Sequence, residues 1–182
     1  MILHDSRLRR MCGVDLTVET SKAEIIAGQR LLGSSENVPW LGELLDILAG
    51  RAPLLIELKT CKGNATRIAA AVASDLADYA GPVGVMSFDP KVSWYFARKV
   101  PYLRRGLVVE NQTRSFERWA AIGYASPHFL AVESLLLGGR WATKARRKRL
   151  LYSWTIQTAA ERAQAEVHAD ALIWEGDGRP RS

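Results

Sequence analysis

Pro53-Leu54-Leu55-Ile56-Glu57-Leu58, then Thr66 to Tyr79, then Gly81-Pro82-Val83-Gly84-Val85-Met86-Ser87-Phe88, is the stretch on which the fold turns. Its first part is a short apolar run carrying one carboxylate. The second is Ala-rich, with Ile68, Val72 and Leu76 spaced four apart, as one face of a helix requires. Gly81-Pro82 breaks that helix, and Val83 to Phe88 reads as a buried strand. Strand, helix and strand in succession make a βαβ unit, whose crossover is right-handed by default.

The same alternation continues outward in both directions. Pro90 to Lys99 is helical and Pro101 stops it; Gly106 to Val109 is a strand, and Ser115 to Ile122 a helix. Phe129 to Glu133 is a strand, Trp141 to Arg149 a basic helix, and Leu150 to Ile156 a strand. Ala159 to His168 is helical and Ala171 to Trp174 closes the series. Upstream, Ser21 to Gly28 and Leu41 to Leu48 are short helices, the second just after Pro39. Six strands separated by helices give an α/β chain with a parallel sheet, either open and doubly wound or part of a (βα)8 barrel. Neither GxGxxG nor GxxxxGK[ST] is present, which favours the barrel. In a barrel the chemistry sits at the C-terminal strand ends, here Glu57, Lys59, Ser87, Asp89, Glu110, Glu133, Trp154 and Glu175.

Composition narrows the class. The 182 residues are 48% hydrophobic and 24% charged, with a net charge of +6, which suits one domain with a sizeable core and anionic partners. No apolar run reaches the roughly 18 residues of a membrane span. Met1 to Arg10 places charges where a signal peptide is apolar. Cys12 and Cys61 lie in no CxxC spacing, so neither a disulfide framework nor a zinc site is indicated. Nothing beside Cys61 marks it as activated.

The chemistry-bearing segments form an ordered set: His4-Asp5-Ser6-Arg7-Leu8-Arg9-Arg10 (HDxxLxR), Pro39 to Leu45 (PxLxELL), Ile56-Glu57-Leu58-Lys59 (IExK), Ser87-Phe88-Asp89-Pro90, Pro101 to Gly106, and Ser153-Trp154-Thr155-Ile156. The set resembles the glycerophosphodiester phosphodiesterase family over essentially the whole chain. The resemblance implies a (βα)8 barrel that hydrolyses glycerophosphodiesters to glycerol 3-phosphate and an alcohol with a divalent metal, Mg²⁺ or Ca²⁺. It implies His4 as a catalytic residue, Glu57 as a metal ligand, Lys59 as a phosphate contact and Trp154 as a lining of the substrate pocket.

Those residue types suit the reaction. Phosphodiester hydrolysis needs charge neutralised on the phosphoryl oxygens and a proton delivered to the departing alkoxide. Hard cations take oxygen ligands such as Glu57; Lys59 reaches a phosphate as a mobile point charge; His4 is the side chain suited to general acid work near neutral pH. Glu57, Lys59 and His4 are expected in one concave pocket. Plainer readings stand beside these: His4 as a surface residue, Glu57 in a salt bridge to Lys59, Trp154 as core filling, and the basic helix as a solvated face.

The resemblance also has gaps. The family's HRG segment and ExD pair, both upstream of HD, have no counterpart, which removes one histidine and two of three metal carboxylates. One carboxylate holds Mg²⁺ poorly against water. The expectation is a single, incomplete domain over residues 1–182, a barrel lacking its first two strand units, with Met1 internal to a longer frame and the chain a poor catalyst as written. At the other end Glu175 stands where the family shows a Thr-Asp pair, and Trp174 alters the pocket floor. The partner expected is a small phosphodiester, with no nucleic acid and no membrane span, in the cytoplasm. The competing reading is a non-catalytic module that binds anions or lipid headgroups through Lys59 and the basic helix. A third is nucleic-acid binding through Arg140 to Arg149.

Overall fold

A computed structural model describes residues 1–61 and 63–179. They form two compact units, one of Met1–Pro53 with Ala71–Pro82, the other of Leu54–Ala70 with the chain from Val83 onward. In order the elements are α1 (Arg9–Cys12), α2 (Ala23–Ala27), α3 (Leu41–Leu48), β1 (Leu54–Glu57), α4 (Ala65–Asp75), β2 (Val83–Ser87), α5 (Pro90–Lys99) and β3 (Arg104–Val109). There follow α6 (Ser115–Ala125), β4 (Phe129–Glu133), α7 (Arg140–Arg146), β5 (Leu150–Ile156), α8 (Ala159–His168) and β6 (Ala171–Trp174), with single 3-10 turns at Ser134–Leu136 and Gly176–Gly178.

The first unit is built on Leu8, Cys12, Ile26 and Val38, buried together under Leu3, Met11 and Leu16. Antiparallel bridges join Arg7 to Thr17 and Arg30 to Asn37. The sequence reading places no element before Ser21, and α1, four residues long, is too short to show a period. In α3 the leucines of PxLxELL at 41 and 45 are buried, and the Glu43 carboxylate accepts the Trp40 amide N–H at 2.8 Å. Glu43 is therefore a helix cap rather than a chemical group. Burial raises the pKa of the Cys12 thiol, which keeps it protonated and inert.

The second unit is a six-stranded parallel sheet in the order β1-β2-β3-β4-β5-β6. Each crossover steps in the same direction, whereas a doubly wound sheet reverses at its switch point. The sheet is thus a half-barrel, and the open alternative is excluded. Expected and observed bounds coincide for α3, α5, β4, β5, α8 and β6. β3 begins two residues earlier than expected, because Arg104 and Arg105 pair with Gly84 and Val85 of β2. The basic helix stops at Arg146 rather than Arg149.

Strand alternation divides the side chains between two faces. Leu107, Val109, Leu130, Val132 and Leu151 meet Ile122, Ala125, Ala142 and Ala145 of the covering helices. Met86, Val108, Phe129 and Ala131 pack on the opposite face with Tyr152, Trp154 and Ile173. That second face is concave. Phe88, just past β2, meets Trp154 of β5 edge-to-face at 5.5 Å, although three strand spacings of about 4.8 Å would hold them apart on a flat sheet.

His128 precedes β4, and its Nδ1 accepts the Arg105 amide at 3.4 Å. Burial lowers its pKa, and the Arg105 and Arg104 cations lower it further. The unfolded chain therefore binds this proton more readily than the folded one. Stability contributed by the neutral ring is complete above the ordinary value of about 6.5 and falls as the pH drops through it. Urea midpoints should decline between neutral and mildly acidic pH, and His128→Asn should flatten that decline. An unchanged slope in the variant would remove His128 as its source.

Candidate functional site

The C-terminal ends of the parallel strands share one rim. Glu57 ends β1 in register with Met86, a residue of the concave face, so its carboxylate faces the same side. Lys59, two residues on, donates from Nζ to Glu57 Oε1 at 2.9 Å. The pair is partly open to solvent, with 27% of the Glu57 side chain and 43% of the Lys59 side chain accessible. This is the ion pair of the plainer reading, and it stands at the mouth, where an anion could draw Lys59 away.

Farther round the rim, Trp154 lies on the same face, its Nε1 donating to the Ala131 carbonyl at 3.0 Å. With the ring so anchored and Phe88 against it, the two aromatics wall the concavity. Trp154 thus both packs and lines. Glu133 stands in register beside it, and Glu133 Oε2 accepts the Asn111 amide at 2.6 Å. The other side of the same residue is held by Arg118, whose Nη2 donates to the Asn111 carbonyl at 2.8 Å. Arg118 is buried and had no signal in the sequence beyond its place in an amphipathic helix. Glu175 Oε1 accepts from Gln157 at 2.5 Å.

Two strand-end residues turn out to be structural. Ser87, almost wholly buried, donates to the Leu58 carbonyl at 2.7 Å and so ties β2 to the end of β1. Asp89 caps α5 by accepting the Lys91 amide at 2.9 Å, with Pro90 in the first turn. Trp174 pairs in register with Ile156 beyond a register shift in the β5–β6 pairing, and it is exposed.

His4 belongs to the first unit. Its Nδ1 contacts Asp5 Oδ1 at 2.7 Å, and Arg10 clamps the same carboxylate from Nε and Nη2 at 2.6 and 2.9 Å. Arg10, and after it His4, hold Asp5 well below the usual carboxylate range. HDxxLxR thereby acquires a physical content: Asp5 orients the imidazole, Arg10 holds Asp5, and Leu8 anchors the segment in the core.

Among the described residues, no three His, Cys, Asp or Glu side chains form a group able to hold a metal ion. One carboxylate already shared with an ammonium does not suit Mg²⁺ or Ca²⁺, which take six or more oxygen ligands, several from water. A cavity of about 270 Å³ lies away from the rim, lined by Gly138, Ala142, Thr143, Arg146, Arg147 and His168. Arg146 is committed there to Asp170 and to the Val167 and Ala169 carbonyls, so the helix is not merely a solvated face. No helix among the described residues is long and apolar enough to cross a membrane.

No protein-family model matches the sequence, and no curated protein is similar to it in sequence. Solved structures are similar. An Oleispira antarctica phosphodiesterase in complex with the product sn-glycerol-3-phosphate has a TM-score of 0.83 at 16% identity, over 97% of this chain and 75% of that one. A glycerophosphodiester phosphodiesterase from Agrobacterium tumefaciens has a TM-score of 0.68 at 18% identity, over 97% and 78%. One from Parabacteroides distasonis has 0.70 at 11%, over 87% and 68%. A U32 peptidase also matches, at 0.53, so likeness of fold does not by itself carry the activity. The chain has the fold that glycerophosphodiester phosphodiesterases share, a parallel α/β half-barrel over the matched region.

Proposed function

We propose that this chain is a glycerophosphodiester phosphodiesterase domain whose concave rim binds the phosphodiester, with a catalytic set that is incomplete as it stands. The observation that carries the reading is the Glu57–Lys59 pair at the mouth of a half-barrel walled by Phe88 and Trp154. In this reading the six strands are six of the eight barrel units. Lys59 releases Glu57 to meet a phosphate oxygen, and Trp154 bounds the organic part of the substrate. Within the first unit, Asp5 orients the His4 ring as a proton donor requires. In a complete family member a divalent metal would neutralise the phosphoryl charge, with Glu57 as one ligand. The closed Glu57–Lys59 ion pair favours, as a second reading, a module that binds the anion without turning it over.

The 182-residue chain should release no glycerol 3-phosphate from glycerophosphocholine with millimolar Mg²⁺ or Ca²⁺. It should nevertheless bind sn-glycerol 3-phosphate, with amide NMR shifts concentrated at Glu57, Lys59 and Trp154. Lys59→Ala should weaken that binding about tenfold, as expected for one charge-assisted contact. Metal-dependent turnover by this chain would refute the incompleteness, and shifts confined elsewhere would refute the site. Adding HRG and ExD segments ahead of the chain separates the two readings: turnover supports the enzyme, and metal-free binding alone supports the module.

A further inference from the structure

The connections that enter β3 to β6 all lie at the end of the sheet opposite the rim, and their charge is one-sided. Lys99 and Arg104 flank the entry to β3, and Arg147 and Lys148 precede β5; all four are exposed. The carboxylate in these connections, Asp170, is already bound by Arg146 at 3.0 Å and by the Leu151 amide at 2.8 Å. Register places Gly106, Phe129 and Leu150 side by side on β3, β4 and β5, which puts the two basic connections about 10 Å apart.

Large apolar groups are exposed among those cations. Tyr102 is 80% exposed, Val167 67% and Leu150 56%. Cations near helix C-termini complement the helix dipole, which accounts for Lys99 in the last turn of α5. It does not account for Arg104 and Lys148, which lie outside helices, nor for exposed Tyr102 and Leu150, each two residues along the chain from one of them. The low pKa of His128, caused in part by Arg104 and Arg105, reports the same positive field.

We propose that this basal end docks on the surface of an anionic lipid bilayer. Lys99, Arg104, Arg147 and Lys148 meet headgroup phosphates while Tyr102, Leu150 and Val167 enter the interface, leaving the rim facing away from the membrane. A mixed basic and aliphatic face fits a bilayer better than a nucleic acid, whose phosphate backbone has no use for Leu150 or Val167. Docking through this end does not depend on turnover at the rim.

Sedimentation with vesicles of roughly three parts phosphatidylcholine to one of phosphatidylglycerol tests it. The chain should pellet with these at low salt, remain soluble with pure phosphatidylcholine, and be released as salt rises. Lys99→Glu with Lys148→Glu should lower the partition about tenfold or more, since each charge near the surface contributes. Tyr102→Ser with Leu150→Ser should lower it several-fold with the charge unchanged. Melting by circular dichroism confirms that the variants fold, and the salt titration needs no variant. Failure to pellet with the anionic vesicles, or equal pelleting with neutral ones, overturns the proposal. So does a short DNA duplex that strips the protein from vesicles while the Tyr102 and Leu150 changes have no effect; that result would assign the face to nucleic acid.

Discussion

Gly106→Val should destabilise the protein by about 3 kcal/mol, and Gly106→Ala by about 2, at the upper end of overpacking costs. Gly106 of β3 pairs in register with Phe129 of β4. A Cβ on Gly106 would fall 2.2 Å from Phe129 Cε2 and 2.4 Å from Cζ. The ring has no room to retreat: it is 5% exposed and stacked on Tyr152 at 4.7 Å between centroids. Relief must therefore come from the backbone of two central strands. The measurement is the urea midpoint at unchanged slope. Because the cause is one ring, shrinking it should rescue the variant. Phe129→Leu alone removes buried volume and costs about 1 kcal/mol, yet combined with Gly106→Ala it should cost clearly less than the sum of the two. Strict additivity would show that the clash is not with Phe129.

Arg146→Glu should cost about 2 to 3 kcal/mol, while Arg147→Glu, one residue away, should stay within about 0.5 kcal/mol. Arg146 donates from Nε to Asp170 Oδ1 at 3.0 Å and caps the carbonyls of Val167 at 3.0 Å and Ala169 at 3.2 Å. Asp170 in turn accepts the Leu151 amide at 2.8 Å, so one carboxylate joins α7, the turn after α8 and the start of β5. The Arg146 side chain is 36% exposed, so its ion pair alone would contribute little. The cost comes from carbonyls stripped of donors and from two carboxylates brought together. Arg147 is exposed and stands outside this junction. Thermal melts of the two variants decide the matter, and equal melts would return Arg146 to the solvated face.

The family-like segments sort by physical role once the chain is folded. Glu43 caps α3, Asp89 caps α5, and Ser87 ties β2 to β1. Arg105, within Pro101 to Gly106, is buried and donates to the Ser126 carbonyl at 3.0 Å. Within the sheet unit, IExK, Phe88 and the Trp154 segment reach the concave rim. A local motif cannot make this distinction, because a carboxylate that caps a helix and one that faces a ligand look alike in one dimension.

Periodicity determined the elements of the sheet unit, since strand and helix repeats and their Pro and Gly breaks are local properties of the chain. The position of Glu57 at a strand end, and Lys59 two residues beyond it, was equally legible. What only the tertiary structure decided was non-local. Strand order excluded the doubly wound sheet, because sequence alternation is the same for both windings. The Phe88–Trp154 contact revealed the curvature, and the bonds of Arg118 and Glu133 to Asn111 joined α6, the loop after β3 and the end of β4. The basal cations stand at the entries to two strands more than forty residues apart, and become one surface only because parallel strands in register bring their entry points to one end of the sheet.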